Sequence, residues 1–286
     1  MLKLLLQLDS SRLPSVFDQV VAYDAGADRV MSQGGVTEGE VRDLVLGCIF
    51  TRSPKDMKNT AIFIGGADMA AGEKLLAAAT KAFFANFRVS TMLDSNGSNT
   101  TAVAAVVKIT EALGGSVKGR KIVVTAGTGP VGTRAAGLFA KAGGDVVITS
   151  RKPEDGERVS AEICKRFGGS VKSVPLREPS QAAAAVAGAE VLLNAGPAGV
   201  KLIPRDAWAG KFKVVVDLNA LPPLGIEGVE ENDEGQTREG AIAFGALGIG
   251  NFKMKLHKEC IMRLFTRSDL VLDAETIEDV AKDLMK

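Results

Sequence analysis

The chain has 286 residues and a formal net charge of +1, with 46% hydrophobic and 24% charged residues. These values are typical of a globular protein with one large or two modest domains, and they give no electrostatic reason to expect nucleic acid or an anionic membrane as a partner. No apolar run reaches the length of about 18 residues that a transmembrane helix needs. Three scattered cysteines indicate reduced thiols, so we expect a cytoplasmic protein.

Residues 1–113 alternate short apolar strands with helices, which predicts a mostly parallel sheet in an α/β domain. Thr37 and Glu40 have capping-box spacing. Val16, Val20 and Val21 are expected on one side of the first helix. The predicted strands are Leu2–Leu8, Asp28–Met31, Thr60–Ile64 and Arg88–Leu93. The predicted helices are Pro14–Ala25, one beginning after Thr37, Asp68–Phe84 and Ala102–Leu113.

A glycine-rich turn follows the next buried strand, Lys121–Ala126. A small, apolar helix continues over Thr133–Ala142, and Asp145–Thr149 is a second buried strand. Proline suits the first turn of a helix because its missing N–H is not needed there. The pattern predicts a βαβ unit with G-x-G-x-x-G at its first turn. The turn consists of Gly127, Thr128, Gly129, Pro130, Val131 and Gly132.

Each glycine of this turn has a physical purpose. The first permits the tight turn, the second lets the backbone approach a pyrophosphate, and the third lets helix and strand pack closely. The helix N-terminus offers free N–H groups and the positive end of a dipole to the anion. The context predicts a Rossmann-type, doubly wound dinucleotide-binding domain; the alternative is a glycine-rich α/β turn that binds nothing.

The end of the second strand of this unit indicates which dinucleotide binds. An NAD-binding unit usually has Asp or Glu there, whereas this chain has Ser150, Arg151 and Lys152. An arginine can bind the 2′-phosphate of NADP with two hydrogen bonds, and a lysine adds a point charge. We therefore expect NADP rather than NAD, with two solvated charges as the alternative.

The rest of the chain continues the alternation of strands and helices. Glu227–Glu239 is expected to be a polar surface excursion, and Asp273 the N-cap of the last helix. The predicted strands are Ser170–Val174, Glu190–Asn194, Lys213–Leu218 and Gly240–Ile249. The predicted helices are Pro153–Phe167, Gln181–Ala187, Asn251–Thr266 and Ala274–Met285.

Ligands of open α/β sheets bind beyond the carboxyl ends of the strands. Polar or glycine-rich segments follow four predicted strands, and a cleft between two domains is expected to gather them. These segments are Asp94–Thr101, Gly127–Gly132, Asn194–Gly199 and Asp217–Asn219.

The chain has few groups for acid–base or metal chemistry. Tyr23 is its only tyrosine and has Ala27 four residues on, so the Tyr-x-x-x-Lys pair of short-chain carbonyl reductases is absent. One histidine and three isolated cysteines do not form a catalytic zinc site, so no metal is expected. His257 remains an alternative acid–base group. Oxidation of a carbon held between two nitrogens fits this composition, because loss of hydride leaves a delocalised cation and needs no base.

The sequence resembles the NADP-dependent methylene-tetrahydromethanopterin dehydrogenases of methylotrophic bacteria, of the type that also accepts methylene-tetrahydrofolate. The resemblance covers essentially the whole chain, and the polar block after Asp94 is its most distinctive part. The matching segments are Ser15–Asp18 (SVFD), Phe63–Gly66 (FIGG), Asp68–Glu73 (DMAAGE), Met92–Thr101 (MLDSNGSNTT), Gly127–Gly132 (GTGPVG) and Phe244–Gly250 (FGALGIG).

This resemblance implies hydride transfer from the methylene carbon of the pterin to NADP, in one-carbon metabolism, by a subunit that usually forms a homotrimer. It implies a pterin-binding α/β domain of residues 1–116 plus 267–286 and a Rossmann NADP-binding domain of residues 117–266. The active-site lysine would be Lys255. The implied substrate-binding residues are Phe17, Asp94, Ser95, Asn96, Asn99 and Thr101. The implied cofactor-binding residues are Gly127–Gly132, Ser150, Arg151, Lys152, Asn194, Ala195, Gly196 and Asn219.

Alternatives remain open for three of these residues and for the function. The pattern around Phe17 favours a position in the core. Lys255 is alternatively a solvated charge on its helix, and Asp94 is alternatively a cap for the following helix. A cationic lysine opposes a developing cation, so Lys255 would orient the substrate or be held neutral. The competing functions are an NADP-dependent dehydrogenase of a small carbonyl or hydroxy-acid substrate, with His257 or Lys255 as acid, and a non-catalytic NADP sensor.

Overall fold

The computed structural model describes residues 1–286, which contain twelve β-strands and ten α-helices. The strands are β1 (Leu4–Asp9), β2 (Arg29–Gly34), β3 (Thr60–Gly65), β4 (Ser90–Leu93), β5 (Lys121–Thr125), β6 (Asp145–Ser150), β7 (Val171–Pro175), β8 (Val191–Asn194), β9 (Val214–Asp217), β10 (Glu234–Arg238), β11 (Ala241–Phe244) and β12 (Val271–Leu272). The helices are α1 (Val16–Asp24), α2 (Glu38–Ile49), α3 (Met69–Ala82), α4 (Ser98–Ala112), α5 (Pro130–Lys141), α6 (Pro153–Phe167), α7 (Ala182–Ala185), α8 (Arg205–Trp208), α9 (Ala246–Leu264) and α10 (Ala274–Leu284).

The chain forms two compact units, each built on its own sheet. The first unit consists of Met1–Thr100 and Met254–Lys286, and the second of Thr101–Lys253. These bounds differ from the expected division after residues 116 and 266. Both junctions lie inside long helices, α4 and α9, so no linker composition marks them in the sequence.

The sheet of the first unit is entirely parallel, with the strand order β2-β1-β3-β4-β12. The chain builds outward in one direction from β1 to β2 and in the other from β3 through β4 to β12. The order therefore reverses between β1 and β3, and the loops that follow these two strands diverge there. In doubly wound sheets such a switch point is where ligands bind.

The sheet of the second unit has the order β7-β6-β5-β8-β9-β11-β10, and only β10 is antiparallel to its neighbour. Its six parallel strands follow the 3-2-1-4-5-6 order of dinucleotide-binding folds. The switch point lies between β5 and β8, whose residues Thr125 and Asn194 are paired. The predicted α/β fold class is confirmed for both units.

Local sequence explains the elements that position the sites. Strands β3 and β8 are buried along their whole length, because helices cover both faces of a parallel sheet. The Thr37–Glu40 capping box starts α2, and the Asp273 side chain accepts the N–H of Thr276 to cap α10. No helix has both the length and the apolar character needed to cross a membrane.

Two sequence predictions were wrong, and a third, the polar surface excursion Glu227–Glu239, was correct in its exposure but missed a strand. The strand expected over Gly240–Ile249 ends at Phe244, and α9 begins at Ala246 because its small and apolar residues also suit a buried helix turn. The polar excursion Glu227–Glu239 contains β10, an exposed edge strand without an apolar alternation to reveal it. In α1, the residues Val16, Phe17 and Val20 are exposed, and Val21 and Ala22 face the core instead.

Candidate functional site

The glycine-rich turn joins β5 to α5 at the switch point of the second unit. A Cβ atom on Gly127 would lie 2.5 Å from the Cβ of Ile148, and one on Gly132 would lie 2.8 Å from the Cα of Gly127. A Cβ on Gly129 would meet nothing closer than the carbonyl oxygen of Ala126, at 3.5 Å. The first and third glycines are thus required by packing within the protein, whereas the second leaves space for a ligand.

The left-handed residue of this turn is Ala126, with φ of 50°, and none of the three motif glycines. Gly127 permits the tight turn because Ile148 lies against it and leaves no room for a Cβ atom. Thr149 of β6 fixes the turn: its hydroxyl accepts the N–H of Ala126 at 3.0 Å and its carbonyl accepts the N–H of Gly127 at 3.0 Å.

The start of α5 fits the pyrophosphate of a dinucleotide. Pro130 is in the first turn of this 12-residue helix, and Thr128, Pro130 and Val131 are half-buried rather than covered. The amide groups of a first helical turn have no acceptor within the helix and carry the positive end of its dipole. The open face at Gly129 lies beside these groups, as anion binding at a glycine-rich turn requires.

The residues expected to choose the dinucleotide lie just after β6. Arg151 and Lys152 are exposed, and neither forms an ion pair with a carboxylate. Ser150 is buried, and its hydroxyl donates to the carbonyl of Lys152 at 2.8 Å and accepts the N–H of Lys152 at 3.3 Å. Ser150 therefore holds the backbone of the basic pair, while the two cationic side chains stay available.

A buried polar network lies beyond β8 and β9. The side-chain amide of Asn194 donates to Asp217 at 2.7 Å, and its oxygen accepts the hydroxyl of Thr125 at 2.6 Å. The same oxygen accepts the N–H of Gly196 at 3.2 Å. Asn219 likewise accepts the N–H of Leu221 at 2.9 Å. The side-chain amides of Asn194 and Asn219 therefore hold these loops in place through hydrogen bonds. Ala195 and Gly196 place their backbone groups at the switch point.

Asp217 is the centre of this network, a role that the sequence analysis did not assign to it. Its carboxylate also accepts the N–H groups of Ile226 and Asn219, at 2.8 and 3.1 Å. Burial raises the pKa of Asp217, and its hydrogen bonds oppose that rise. The detectable signal was the Asp-x-Asn spacing at a strand end, where short polar side chains accept backbone N–H groups two residues on.

In the first unit, most of the polar block after β4 is turned inward. Asp94 is fully buried and accepts the N–H groups of Asn99 and Thr100 at 2.9 and 3.0 Å and the hydroxyl of Thr100 at 2.6 Å. The hydroxyl of Ser95 donates to the carbonyl of Gly65 at 2.9 Å. Asp94 therefore caps α4, which was the alternative that the sequence left open, and Ser95 ties the block to β3.

Two asparagines of this block keep hydrogen-bonding capacity. Asn96 is exposed and left-handed, with φ of 56°, a conformation that clusters at ligand sites. The amide of Asn99 donates to the carbonyl of Leu93 at 2.6 Å, but its buried oxygen Oδ1 accepts no hydrogen bond from the protein. A buried acceptor without a donor is rare in folded proteins. Thr101 is half-buried on α4.

An aromatic stack lies beside Asp94. The ring of His257 stacks on Phe63 with centroids 5.6 Å apart, and the ring of Phe17 is 6.3 Å from His257. Nδ1 of His257 is 4.0 Å from the Asp94 carboxylate. His257 has no exposed surface, whereas Phe17 is 51% exposed. A proton donor to a substrate carbonyl must reach that substrate, so this burial disfavours His257 as an acid, and the exposure of Phe17 contradicts the expected core position.

Lys255 lies on α9 two residues before His257 and is exposed, without an ion-pair partner. Residues two apart on a helix point to different sides, so Lys255 does not share the buried face of His257. Its position fits either a solvated charge or a lysine available to a ligand.

The glycine turn at the switch point and the strand order together define an α/β protein with a Rossmann-type fold of the dinucleotide-binding class. Solved structures agree with this fold: shikimate 5-dehydrogenase from Listeria monocytogenes matches with a TM-score of 0.54 at 16% identity, over 100% of this chain and 96% of that chain. Quinate dehydrogenase from Corynebacterium glutamicum matches with a TM-score of 0.57 at 14% identity, over 99% of both chains.

Relatives at higher identity define the family. The chain is 49% identical over 284 residues, 99% of each chain, to "Bifunctional protein MdtA" of Methylorubrum extorquens. It is 34% identical over 248 residues, 84% of each chain, to the "NAD(P)-dependent methylenetetrahydromethanopterin dehydrogenase" of the same organism. Residues 16–96 match the family model described as methylene-tetrahydromethanopterin dehydrogenase, N-terminal. The chain belongs to the methylene-tetrahydromethanopterin dehydrogenase family.

Proposed function

We propose that this protein is an NADP-dependent dehydrogenase that oxidises the methylene carbon of methylene-tetrahydromethanopterin, and of methylene-tetrahydrofolate, to the methenyl form. The full-length match to a relative at 49% identity carries this proposal. The bound nicotinamide supplies the hydride acceptor. The carbon that loses hydride lies between two nitrogens that share the resulting positive charge, so the protein needs position and electrostatics more than an acid or base.

The second unit provides the cofactor side of this reaction. The open face at Gly129 and the first turn of α5 would hold the pyrophosphate. The network of Asn194, Asp217 and Thr125 keeps the loop after β8 in place, so that Ala195 and Gly196 present backbone groups rather than mobile side chains. Arg151 and Lys152, exposed and without acidic partners, would bind the 2′-phosphate and favour NADP over NAD.

The first unit provides the pterin side. Phe17 presents an exposed aromatic ring on which a flat heterocycle can stack. That ring is 6.3 Å from His257, which in turn stacks on Phe63. The orphan oxygen of Asn99 and the exposed amide of Asn96 would bind polar groups of the pterin. Asp94 acts mainly by holding the block that carries both asparagines.

The family resemblance also supports a cytoplasmic homotrimer that serves one-carbon metabolism in a methylotroph. Light scattering of the purified protein tests the trimer directly. A mass close to three times the chain's 29.8 kDa is expected, and a monomer would contradict this part of the proposal.

Hydride transfer from each methylene pterin, with NADP and with NAD, tests the main proposal. Formation of reduced nicotinamide with NADP from either pterin is expected, and the ratio of the two rates gives the substrate preference. Binding of NADP without turnover of either pterin would contradict the proposed reaction and favour a sensor or a different substrate.

Lys255 is proposed to orient the pterin, and its removal tests that role. Lys255→Ala should lower turnover more than NADP affinity. The matched control is Lys258→Ala, which removes a lysine of the same helix that pairs with Asp24 at 2.8 Å. Unchanged turnover of Lys255→Ala would exclude Lys255 from the mechanism.

A further inference from the structure

A third cation lies beside the basic pair that follows β6. Strands β6 and β7 are parallel neighbours, with Ser150 opposite Pro175 at their carboxyl ends. The pairing continues past both strands, because the N–H of Leu176 donates to the carbonyl of Ser150 at 2.9 Å. At the next position the Nε of Arg177 donates to the carbonyl of Arg151, also at 2.9 Å. This hydrogen bond places the Arg177 guanidinium against the backbone of the basic pair.

Hydrogen bonds hold both the backbone and the side chain of Arg177 in place. Its backbone N–H donates to Oε1 of Gln181 at 2.7 Å, and the N–H of Glu178 donates to the same oxygen at 3.3 Å. Its side chain is held by the carbonyl of Arg151. Because only Nε is used in that bond, both Nη groups remain, and Arg177 forms no ion pair with a carboxylate.

Another arginine of the second unit is neutralised by acidic partners. Arg158 of α6 forms ion pairs with Asp155 at 3.4 Å and Glu162 at 2.9 Å. Arg151, Lys152 and Arg177 have no such partners although they lie together at one sheet edge. Three unpaired cations repel each other, and a doubly charged anion at their centre would relieve that repulsion.

We propose that Arg177 is a specificity-determining residue that binds the 2′-phosphate of NADP through its Nη groups, together with Arg151 and Lys152. This inference rests on the proposed use of NADP and extends it, since Arg177 comes from a different strand from the basic pair. The loop after β6 then supplies two cations and the loop after β7 the third. A phosphate held by arginine forks from two loops is recognised by geometry as well as by charge.

Isothermal titration of adenosine 2′,5′-bisphosphate and of 5′-AMP tests this role without turnover, because the two probes differ only in the 2′-phosphate. Arg177→Gln keeps a side-chain N–H for the carbonyl of Arg151 but removes the charge. We expect this variant to bind the bisphosphate about tenfold more weakly and 5′-AMP as the wild type does. The KM for NADP should rise in parallel, with the KM for NAD unchanged.

Arg158→Gln is the matched control, since it removes the same charge from a neutralised arginine of the same unit and should change neither affinity. Equal weakening of both probes by Arg177→Gln would overturn the proposal and give Arg177 a purely structural role in the loop. Unchanged binding of both probes would also overturn it. A wild-type protein that binds neither NADP nor the bisphosphate would contradict the proposed function itself.

Discussion

The two units use the same architectural device in opposite ways. Each has a wholly or mostly parallel sheet whose strand order reverses, between β1 and β3 in the first unit and between β5 and β8 in the second. In the second unit the turn at the reversal is backbone with an open face at Gly129. In the first unit the polar block lies one strand beyond the reversal, after β4; it is mostly buried, and its side chains bond to the protein itself. A phosphate is bound by exposed amide groups, whereas selective binding of a particular ring system requires side chains that are held rigidly, as in the polar block Asp94–Thr101.

Removal of the Asp94 carboxylate should produce the largest loss of stability, because it accepts three hydrogen bonds within the buried polar block. Asp94→Ala leaves two buried N–H groups without an acceptor and removes the closer acceptor of the Thr100 hydroxyl, so we expect a loss of about 3 kcal/mol or more of unfolding free energy. Urea denaturation measures this loss. Asp68→Ala is the control: Asp68 caps α3 at an exposed site through one bond to Ala71, so its loss should cost about 1 kcal/mol. A stable Asp94→Ala protein that fails only in turnover would assign Asp94 to the substrate.

Alanine at two glycines of the turn should separate packing from ligand access. In Gly132→Ala the new Cβ would press on the backbone of Gly127, so we expect the unfolding free energy to fall by about 1–3 kcal/mol. In Gly129→Ala the new Cβ enters open space, so the stability should change by less than about 0.5 kcal/mol.

The same Gly129→Ala variant should bind NADP more than about tenfold less tightly, because the methyl group occupies the position that the pyrophosphate must approach. Fluorescence titration with NADP gives the affinity, and the denaturation curve of the same sample confirms folding. Wild-type affinity in Gly129→Ala would place the pyrophosphate elsewhere and remove the contrast between the two units.

A smaller gain is expected from Ala126→Gly. Ala126 adopts φ of 50°, which an L-residue reaches only with strain, and glycine removes that strain while raising the entropy of the unfolded chain. We expect a net gain of up to about 1 kcal/mol. Ala85→Gly, at φ of 47°, is a second test of the same effect in the first unit, and we expect a similar gain in stability. Thermal denaturation measures both variants, and a loss in either would refute the strain interpretation.

Thiol labelling should distinguish the units without changing their stability. Burial raises the pKa of Cys48 to about 11. It also raises the pKa of Cys260, with the nearby Asp94 carboxylate adding to the effect. Both are in the first unit, and a thiolate is the reactive form. At pH 8 an aromatic disulfide reagent should therefore modify Cys164, the half-buried thiol of the second unit, much faster than the other two. Rapid reaction of Cys260 would show that the block around Asp94 opens readily.

The sequence predicted the fold well where periodicity and glycine spacing are strong. The βαβ unit from Lys121 to Ser150 was found within one residue at its strands, because apolar runs and Gly127–Gly132 leave few alternatives. The start of α9 was missed, since Ala246–Ile249 is compatible with a buried strand as well as a helix. Likewise β10 is polar throughout and gains its strand conformation by pairing with β11, which no local pattern reveals.

The site was harder to predict than the fold, because the sequence names residues but not their partners. Asp94 was marked as a candidate ligand and as a candidate cap, and only its bonds to Asn99 and Thr100 show the capping role. Arg177 carried no signal at all, since it follows β7 by two residues and meets Arg151 only because those strands are neighbours. Such contacts depend on strand order, which is a property of the whole sheet.

The position of β12 has a consequence for synthesis of the protein on the ribosome. This strand, Val271–Leu272, completes the first sheet by pairing with Thr91 and Met92 of β4, and α10 follows it. The second unit is a single continuous segment and has all its residues once Lys253 has emerged. The first unit has segments on both sides of the second, so the edge of β4 stays unpaired while the whole second unit is translated. Residues 1–100 of the first unit are therefore made before the second unit but receive their last sheet partner only after it.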